Sequence, residues 1–354
     1  MKFGGFKYLF VLTIPGVVLL SILLGGLWSY FALIFTFIFI PLLELYLKPS
    51  LKNMSEAEEA IAQKDKFYDI LLYLMVPIQY FTFFYFLTRI GNPNLMFFEK
   101  TGMTIAFGIS CGVLGINAAH ELGHRNSWHE QWMSKLLLLT SQYMHFFIEH
   151  NRGHHKNVAT DLDPASGKYG ENLYTFQIRS VKDGWISAWR LEGEKLKKDG
   201  RQFWSWHNEM LRFQIIQITF ILGIYLIFGL VVLIFYLISA FIGISLLETV
   251  NYIEHYGLRR KEFQGKYERT MPVHSWNSNH PVGRLLLLEL SRHSDHHFLA
   301  NRKYQILRHF DESPQMPTGY PGMVLLSFFP PLWFKVMHKE IEKYRNRADG
   351  SFLA

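Results

Sequence analysis

Nine of the sixteen histidines fall into four short clusters. HELGH carries His120 and His124, HNRGHH carries His150, His154 and His155, NYIEHYG carries His255, and HSDHH carries His293, His296 and His297. Residues three or four apart on a helix are neighbours on one face, close enough for two imidazoles to share a metal ion. His120/His124 and His150/His154 have the i, i+4 spacing, and the HSDHH histidines have the i, i+3, i+4 pattern. Zinc takes four ligands, or three and a water, so nine imidazoles are too many for one such ion. Two iron ions sharing eight or nine imidazoles is the economical count. The single cysteine, Cys111, excludes a disulfide scaffold, a Cys-ligated zinc module, a soft copper site and an iron–sulfur centre. His129, His145, His207, His309 and His338 lie outside the clusters and read as surface or core residues.

Neutral imidazoles leave the charge of divalent ions uncompensated, so carboxylates should lie nearby and accept the free ring N–H of each ligand. Glu121, Glu149, Glu254, Asp161, Asp163, Glu289 and Asp295 are the candidates. Glu248 lies inside an apolar stretch, seven residues before His255 and so within about 20° of the same helical face. An acid at membrane depth normally marks a functional site, which makes Glu248 a candidate catalytic residue. Asn117 and Asn251, each one turn before a cluster histidine, extend this polar seam.

The elements that must position these groups follow from composition. Charged residues make up 18% of the 354-residue chain, below the roughly 25% of soluble domains. Hydrophobic residues reach 49% and include 31 Phe, which excludes disorder, coiled coil and collagen. About 20 apolar residues cross a bilayer. Six stretches qualify: 8–25, 27–47, 68–88, 103–119, 213–229 and 231–253, the last two meeting at a turn near Gly229. Leu136–Phe147 is too short to span and is expected to be a helix lying at the membrane surface or dipping into it. Pro330 and Pro331 interrupt Met323–Met337, which is not counted as a span. The N-terminal run shows no small-x-small cleavage site and reads as an uncleaved anchor.

Six spans put both termini on one side. With the termini cytoplasmic, the outer loops hold only Arg89 and Lys100 of the 36 basic residues, as the positive-inside rule requires. The net charge of +7 is mostly this bias, so nucleic-acid binding has no separate support. The expected fold is all-α: one membrane domain, 1–354, with a six-helix bundle and a cytoplasmic helical cap from 120–212 and 254–354. All four histidine clusters then lie at one membrane face. A two-iron site there suits dioxygen activation on an oily substrate supplied by the membrane lipid.

The motifs resemble those of the integral-membrane alkane monooxygenases (AlkB-type), relatives of the membrane fatty-acid desaturases and hydroxylases. The resemblance rests on NAAHELGH, EHNRGHHKNVATDLDPAS, NYIEHYGL, HSWNSNHPV, SRHSDHHF and SPQMPTGYPGM…PPLW, between Asn117 and Trp333. Desaturases share the three histidine boxes; NYIEHYG with HSWNSNHP points to the hydroxylases. The resemblance implies that the nine clustered histidines bind two non-haem iron ions. It implies terminal hydroxylation of a medium- to long-chain n-alkane by O2 in a bacterial inner membrane. Electrons would come from a rubredoxin and its reductase, here separate proteins. Arg152, Lys156, Arg259, Arg260 and Lys261 could dock an acidic partner. The sequence departs from the family at Ala118, where Thr is common, and at Phe298–Asn301, where a small residue and a Pro-Thr step often follow HSDHH.

Other readings predict different products. A fatty-acid or acyl-lipid desaturase or hydroxylase, or a methyl-aromatic hydroxylase, keeps the oxidative chemistry and changes the substrate. HELGH also matches the zinc-protease pattern, with Glu121 as base, but that reading leaves seven clustered histidines idle. A metal transporter should carry ionisable ligands near mid-membrane, where only Glu248 lies.

Overall fold

Six apolar runs become six helices of 20 to 27 residues, long enough at about 1.5 Å per residue to cross a hydrocarbon core of about 30 Å. The computed structural model describes residues 3–347 and is helical apart from one small hairpin. In chain order the helices begin with α1 (Gly4–Leu24) and α2 (Gly26–Tyr46), both membrane-spanning. A short amphipathic α3 (Glu56–Lys64) follows, closed by a Ser55/Glu58 capping box. Next come α4 (Lys66–Ile90) and α5 (Phe97–Gly123), then α6 (Trp128–Leu139) and the irregular α7 (146–157). The long α8 (Leu173–Lys198) precedes the last two spans, α9 (Glu209–Phe228) and α10 (Leu230–His255). Each of the six apolar stretches overlaps one of these helices, with ends that differ by up to six residues. Gly229, at φ +84°, makes the turn between α9 and α10 in a backbone conformation that favours glycine.

Two compact units make up the chain. The first takes residues up to Thr36, Lys66–Gly153 and Trp185–Leu247. Its α5 is the most enclosed span, with 89% of its apolar window buried against 11% in α9. Ring packing fills the interior: Phe86 stacks on Phe107 at 4.7 Å, and Phe83 meets Phe220 and Tyr236, each at 5.4 Å. Lys135 of α6 pairs with Glu209 of α9 at 2.6 Å.

One local expectation changes. The segment Leu136–Phe147 is not a continuous surface helix: α6 ends at Leu139, and α7 starts at Phe146. Polar Thr140, Ser141 and Gln142 break it. Gln142 adopts a left-handed φ of 56°, and its side-chain amide donates to Tyr236 Oη at 2.8 Å and to the Leu139 carbonyl.

The second unit takes Phe37–Asp65, His154–Gly184 and residues from Glu248 onward. It holds the hairpin of β1 (Glu262–Phe263) and β2 (Lys266–Tyr267), closed by Gln264 and Gly265, both at positive φ. Helices α11 (Pro281–Leu286), α12 (His293–Phe298), α13 (Tyr320–Ser327) and α14 (Pro330–Arg347) complete it. Met323–Met337 is thus divided between two helices, as its prolines require. Trp333 packs against Tyr252 and Tyr256 at 5.1 and 5.3 Å. Buried Glu44 of α2 accepts a bond from the Gly283 N–H at 2.7 Å, tying α2 to α11. A Cβ at Gly319 would run into the Glu44 carboxylate, so any larger residue there must displace Glu44.

Candidate metal centre

In the first unit, the C-terminal end of α5 presents His120 and His124 with their Nε2 atoms 3.4 Å apart. His150 Nε2 lies 3.1 Å from His124 Nε2, and the His150 ring sits 4.4 Å from that of His120. Phe146 stacks on His150 at 4.7 Å and limits its rotation. The Ser134 hydroxyl donates to the Ala119 carbonyl at 2.6 Å, fixing α6 against the end of α5. Glu121 is committed to Arg125 at 2.6 Å, and Arg125 also approaches Asp69 at 3.6 Å. A carboxylate held by a guanidinium is a poor general base, which counts against the protease reading of HELGH.

In the second unit, His154, His255, His293 and His297 bring one ring nitrogen each into a group whose members all lie within 4.8 Å. All four side chains are buried. The Nε2 atoms of His154 and His297 are 3.2 Å apart, and those of His255 and His293 are 3.1 Å apart. His155 and His296 form a second pair at 3.1 Å, and the His155 ring stacks on His297 at 4.5 Å.

His120 and His124 therefore stay together at the end of α5, whereas the second histidine box divides. His150 turns to His124, whereas His154 turns to His297. The backbone there is a π-helical turn, His150–His154, rather than the regular α-helix that the i, i+4 rule assumes. HSDHH also divides, since His293 faces His255 and His296 faces His155.

Of the seven candidate carboxylates, two sit directly on these rings. Asp163 Oδ2 lies 2.9 Å from His154 Nδ1 and also accepts from the Ser166 hydroxyl. Burial works against the charged carboxyl, but His154 and the Ser166 bond hold Asp163 below the usual carboxylate range. Glu254 Oε2 lies 3.2 Å from His293 Nε2, and Glu254 Oε1 accepts from the Tyr320 hydroxyl at 2.8 Å. Arginines take four others. Asp295 pairs with Arg308 and Arg302 at 3.0 and 3.1 Å, Glu289 with Arg284 at 2.6 Å, Asp161 with Arg259 at 2.7 Å, and Glu121 with Arg125. Glu149 is buried, with Oε1 close against Gly153. Glu248, buried in α10, accepts from the Ser180 hydroxyl at 2.5 Å and the Asn251 amide at 3.3 Å.

The motif HSWNSNHP supplies no member of these groups, yet it braces them. The Trp276 N–H donates to the Glu254 carbonyl at 2.8 Å, and its indole N–H donates to the Tyr256 carbonyl at 2.9 Å. The Ser278 N–H reaches the Ser291 carbonyl at 2.8 Å, and Ser294 donates to Asn277 Oδ1 at 3.1 Å. One extended segment thus grips both the His255 helix and the His293–His297 helix. Background histidines have ordinary partners: His309 bonds Asn279 and Asp311, and His338 bonds the Tyr256 hydroxyl. Burial pushes His145 down to about 4.

The donor set fits a metal. Burial and the neighbouring imidazoles of His293, His155, His154 and His255 hold His297 well below its ordinary value, so its ring is neutral at pH 7. Two nitrogens about 2.1 Å from one ion and at right angles would be about 3.0 Å apart, close to the separations seen here. Imidazole without thiolate suits iron, zinc, copper or nickel.

Comparison with known proteins agrees. The fatty acid desaturase family matches residues 101–338. Alkane 1-monooxygenase 1 of Alcanivorax borkumensis is 40% identical over 91% of this chain and 80% of its own length. Alkane 1-monooxygenase of Acinetobacter baylyi is 41% identical over 87% of this chain and 76% of its own. The xylene/toluene monooxygenase hydroxylase component XylM of Pseudomonas putida is more distant, at 26% identity over 77% of this chain and 73% of its own. With six membrane-length helices and buried histidine groups already in place, these matches show that the chain is a multi-pass membrane enzyme belonging to the alkane 1-monooxygenase family.

Proposed function

We propose that this enzyme hydroxylates the terminal carbon of medium- to long-chain n-alkanes to 1-alkanols, using O2 and two non-haem iron ions. The observation that carries the reading is the convergence of four buried imidazoles, His154, His255, His293 and His297, on one point. A neutral donor set of this kind would hold one divalent ion, and the other clustered histidines offer further imidazole donors. When bound, iron would supply the redox chemistry by which one oxygen atom enters a C–H bond and the other leaves as water. The balance is RH + O2 + two electrons + two protons giving ROH + H2O.

The residues themselves do the holding and orienting. Asp163 accepts the Nδ1 proton of His154, which leaves Nε2 as the donor to metal. Phe146 fixes the His150 ring, and Ser275 approaches His255 Nδ1 at 3.5 Å. Burial of His154, His255, His293 and His297 would keep bulk water away from an ion held there.

The electrons would come from a separate rubredoxin, itself reduced by its reductase, on the cytoplasmic side of a bacterial inner membrane. Lys156 is exposed and Lys261 half-exposed, while Arg152 is tied to Glu192 and Arg259 to Asp161. The two lysines are therefore the freer cations for docking an acidic partner.

The test is iron content followed by product analysis. Protein purified in mild detergent should hold near two irons per chain and convert an n-alkane to its 1-alcohol with added rubredoxin, reductase and O2. About one zinc, with no iron after anaerobic ferrous reconstitution, would refute the two-iron reading. An alkene or a benzylic alcohol as the preferred product would replace the substrate class instead.

A further inference from the structure

A buried amide at membrane depth must find polar partners, because lipid offers none. Gln79, near the middle of α4, is fully buried. Its Oε1 accepts from the Ser110 hydroxyl at 2.7 Å, and its Nε2 donates to Thr140 Oγ1 at 3.1 Å. Ser110 is the first residue of a π-helical turn, Ser110–Ile116, inside α5. Regular α-helix resumes at Asn117 and runs to Gly123, carrying His120 and ending on His124 as its C-cap. The far end of the turn also meets Gln79, since a Cβ on Gly115 would lie 3.3 Å from Gln79 Nε2.

The phase of α5 is also set by its contact with α10. A Cβ on Gly243 would lie 2.5 Å from Cys111 Cβ, and one on Gly112 would lie 3.1 Å from the Gly243 carbonyl oxygen. Backbones of α5 and α10 touch there, so that face cannot rotate freely. A π turn bonds i to i+5 instead of i to i+4 and so accommodates one extra residue. Were it to relax to α-helix with every residue kept, all that follows would turn by about 100° relative to the Gly112 face. Each following Cα would move about 3.5 Å around a helix of radius about 2.3 Å.

We propose that Gln79 is a positioning residue for His120 and His124, pinning the π turn Ser110–Ile116 so that both imidazoles face His150. The link to chemistry rests on the iron reading above, but the geometry can be tested without metal. The deciding comparison involves deletion. Removing one residue from the turn, such as Val113, takes out the extra residue and returns the helix to regular winding with its phase preserved. A purely structural role for Gln79 would not be rescued by that deletion.

The experiment uses the full chain in detergent carrying His120→Cys and His150→Cys, crosslinked with a short bis-maleimide while Cys111 stays buried. With Gln79 present, the pair should crosslink efficiently. Gln79→Leu should lose most of that yield, since position 120 would move by about 3.5 Å around the helix, and deletion of Val113 in the Gln79→Leu background should restore it. Should Gln79→Leu not accumulate, Ser110→Ala and Thr140→Val remove its two oxygen partners one at a time and carry the same comparison. Unchanged crosslinking in Gln79→Leu, or failure of the deletion to rescue, overturns the proposal. Iron is counted in parallel on chains with all histidines intact. An iron-free parent would refute the oxygenase reading and leave the crosslinks to judge Gln79.

Discussion

His154 Nδ1 and Asp163 Oδ2 meet at 2.9 Å with both side chains almost completely withdrawn from water. The pair fixes which nitrogen of His154 carries the proton. Asp163 is itself held by Ser166 and the Ala165 N–H, so the imidazole is oriented by a rigid turn. Partners of this kind typically tune metal affinity by 10- to 100-fold, on the order of one to two decades.

Asp163→Asn tests that relationship. The amide can keep the ring's orientation but removes the charge and weakens the acceptor. Iron affinity should fall by roughly ten-fold or more, read by competition with a chelator, while the helical content by circular dichroism stays unchanged. Wild-type affinity in this variant would show that Asp163 is needed for the turn alone.

Removal of single ligands should be harsher. His120→Ala, His154→Ala, His296→Ala and His297→Ala should each abolish turnover, because each deletes a donor from an imidazole pair 3.1 to 3.4 Å apart. Full activity in two of the four would break the ligand assignment.

Much of this arrangement is legible in the sequence because it depends on local composition. The six spans follow from runs of about 20 apolar residues, and the nine histidines stand out by their spacing. What is not legible depends on partners distant in the chain. Nothing in HNRGHH shows that His150 and His154 part company across a π-helical turn. The carboxylates looked equivalent, yet Asp295 is drawn away by Arg302 and Arg308 while Asp163 is left to His154. HSWNSNHP reads only as a family mark until its bonds to Glu254, Tyr256 and Ser291 are seen. A polar Thr-Ser-Gln run after Leu139 was the available signal for the helix break that hydropathy averaging hides.

Glu248 separates a structural from a catalytic role. Glu248→Gln can still present an oxygen to Ser180 and Asn251, so the packing should survive while the charge is lost. The rate of alkane oxidation should fall with iron still bound. An unaffected rate would leave Glu248 as a link between α10 and Ser180.

Acid sensitivity should trace partly to Glu171. Burial opposes its charge, but Arg179 at 2.7 Å and the Lys168 N–H hold its carboxyl below the usual value of 4.5. Arg179 also donates to the Pro164 and Ser166 carbonyls, so this pair braces the loop that carries Asp163. A depressed folded-state value means the stabilisation is complete above about pH 4.5 and is lost as pH falls through the lower folded value. Glu171→Gln lacks that dependence. Thermal unfolding of metal-free protein should show the wild type losing more of its melting temperature than Glu171→Gln between pH 5 and about 3. Parallel losses in the two proteins would remove Glu171 from the account.

Topology gives the last test. If both termini are cytoplasmic, then 120–212 and 254–354 lie on the same side, and the outer loops carry only Arg89 and Lys100. Sealed right-side-out vesicles treated with trypsin should spare the many lysines and arginines of α8, including Lys195, Lys197 and Lys198. Inverted vesicles should be cut there readily. Cleavage within 120–212 in right-side-out vesicles would place the histidine groups on the outer face, out of reach of a cytoplasmic electron donor. The rubredoxin proposal would fall with it, whereas the iron count would stand.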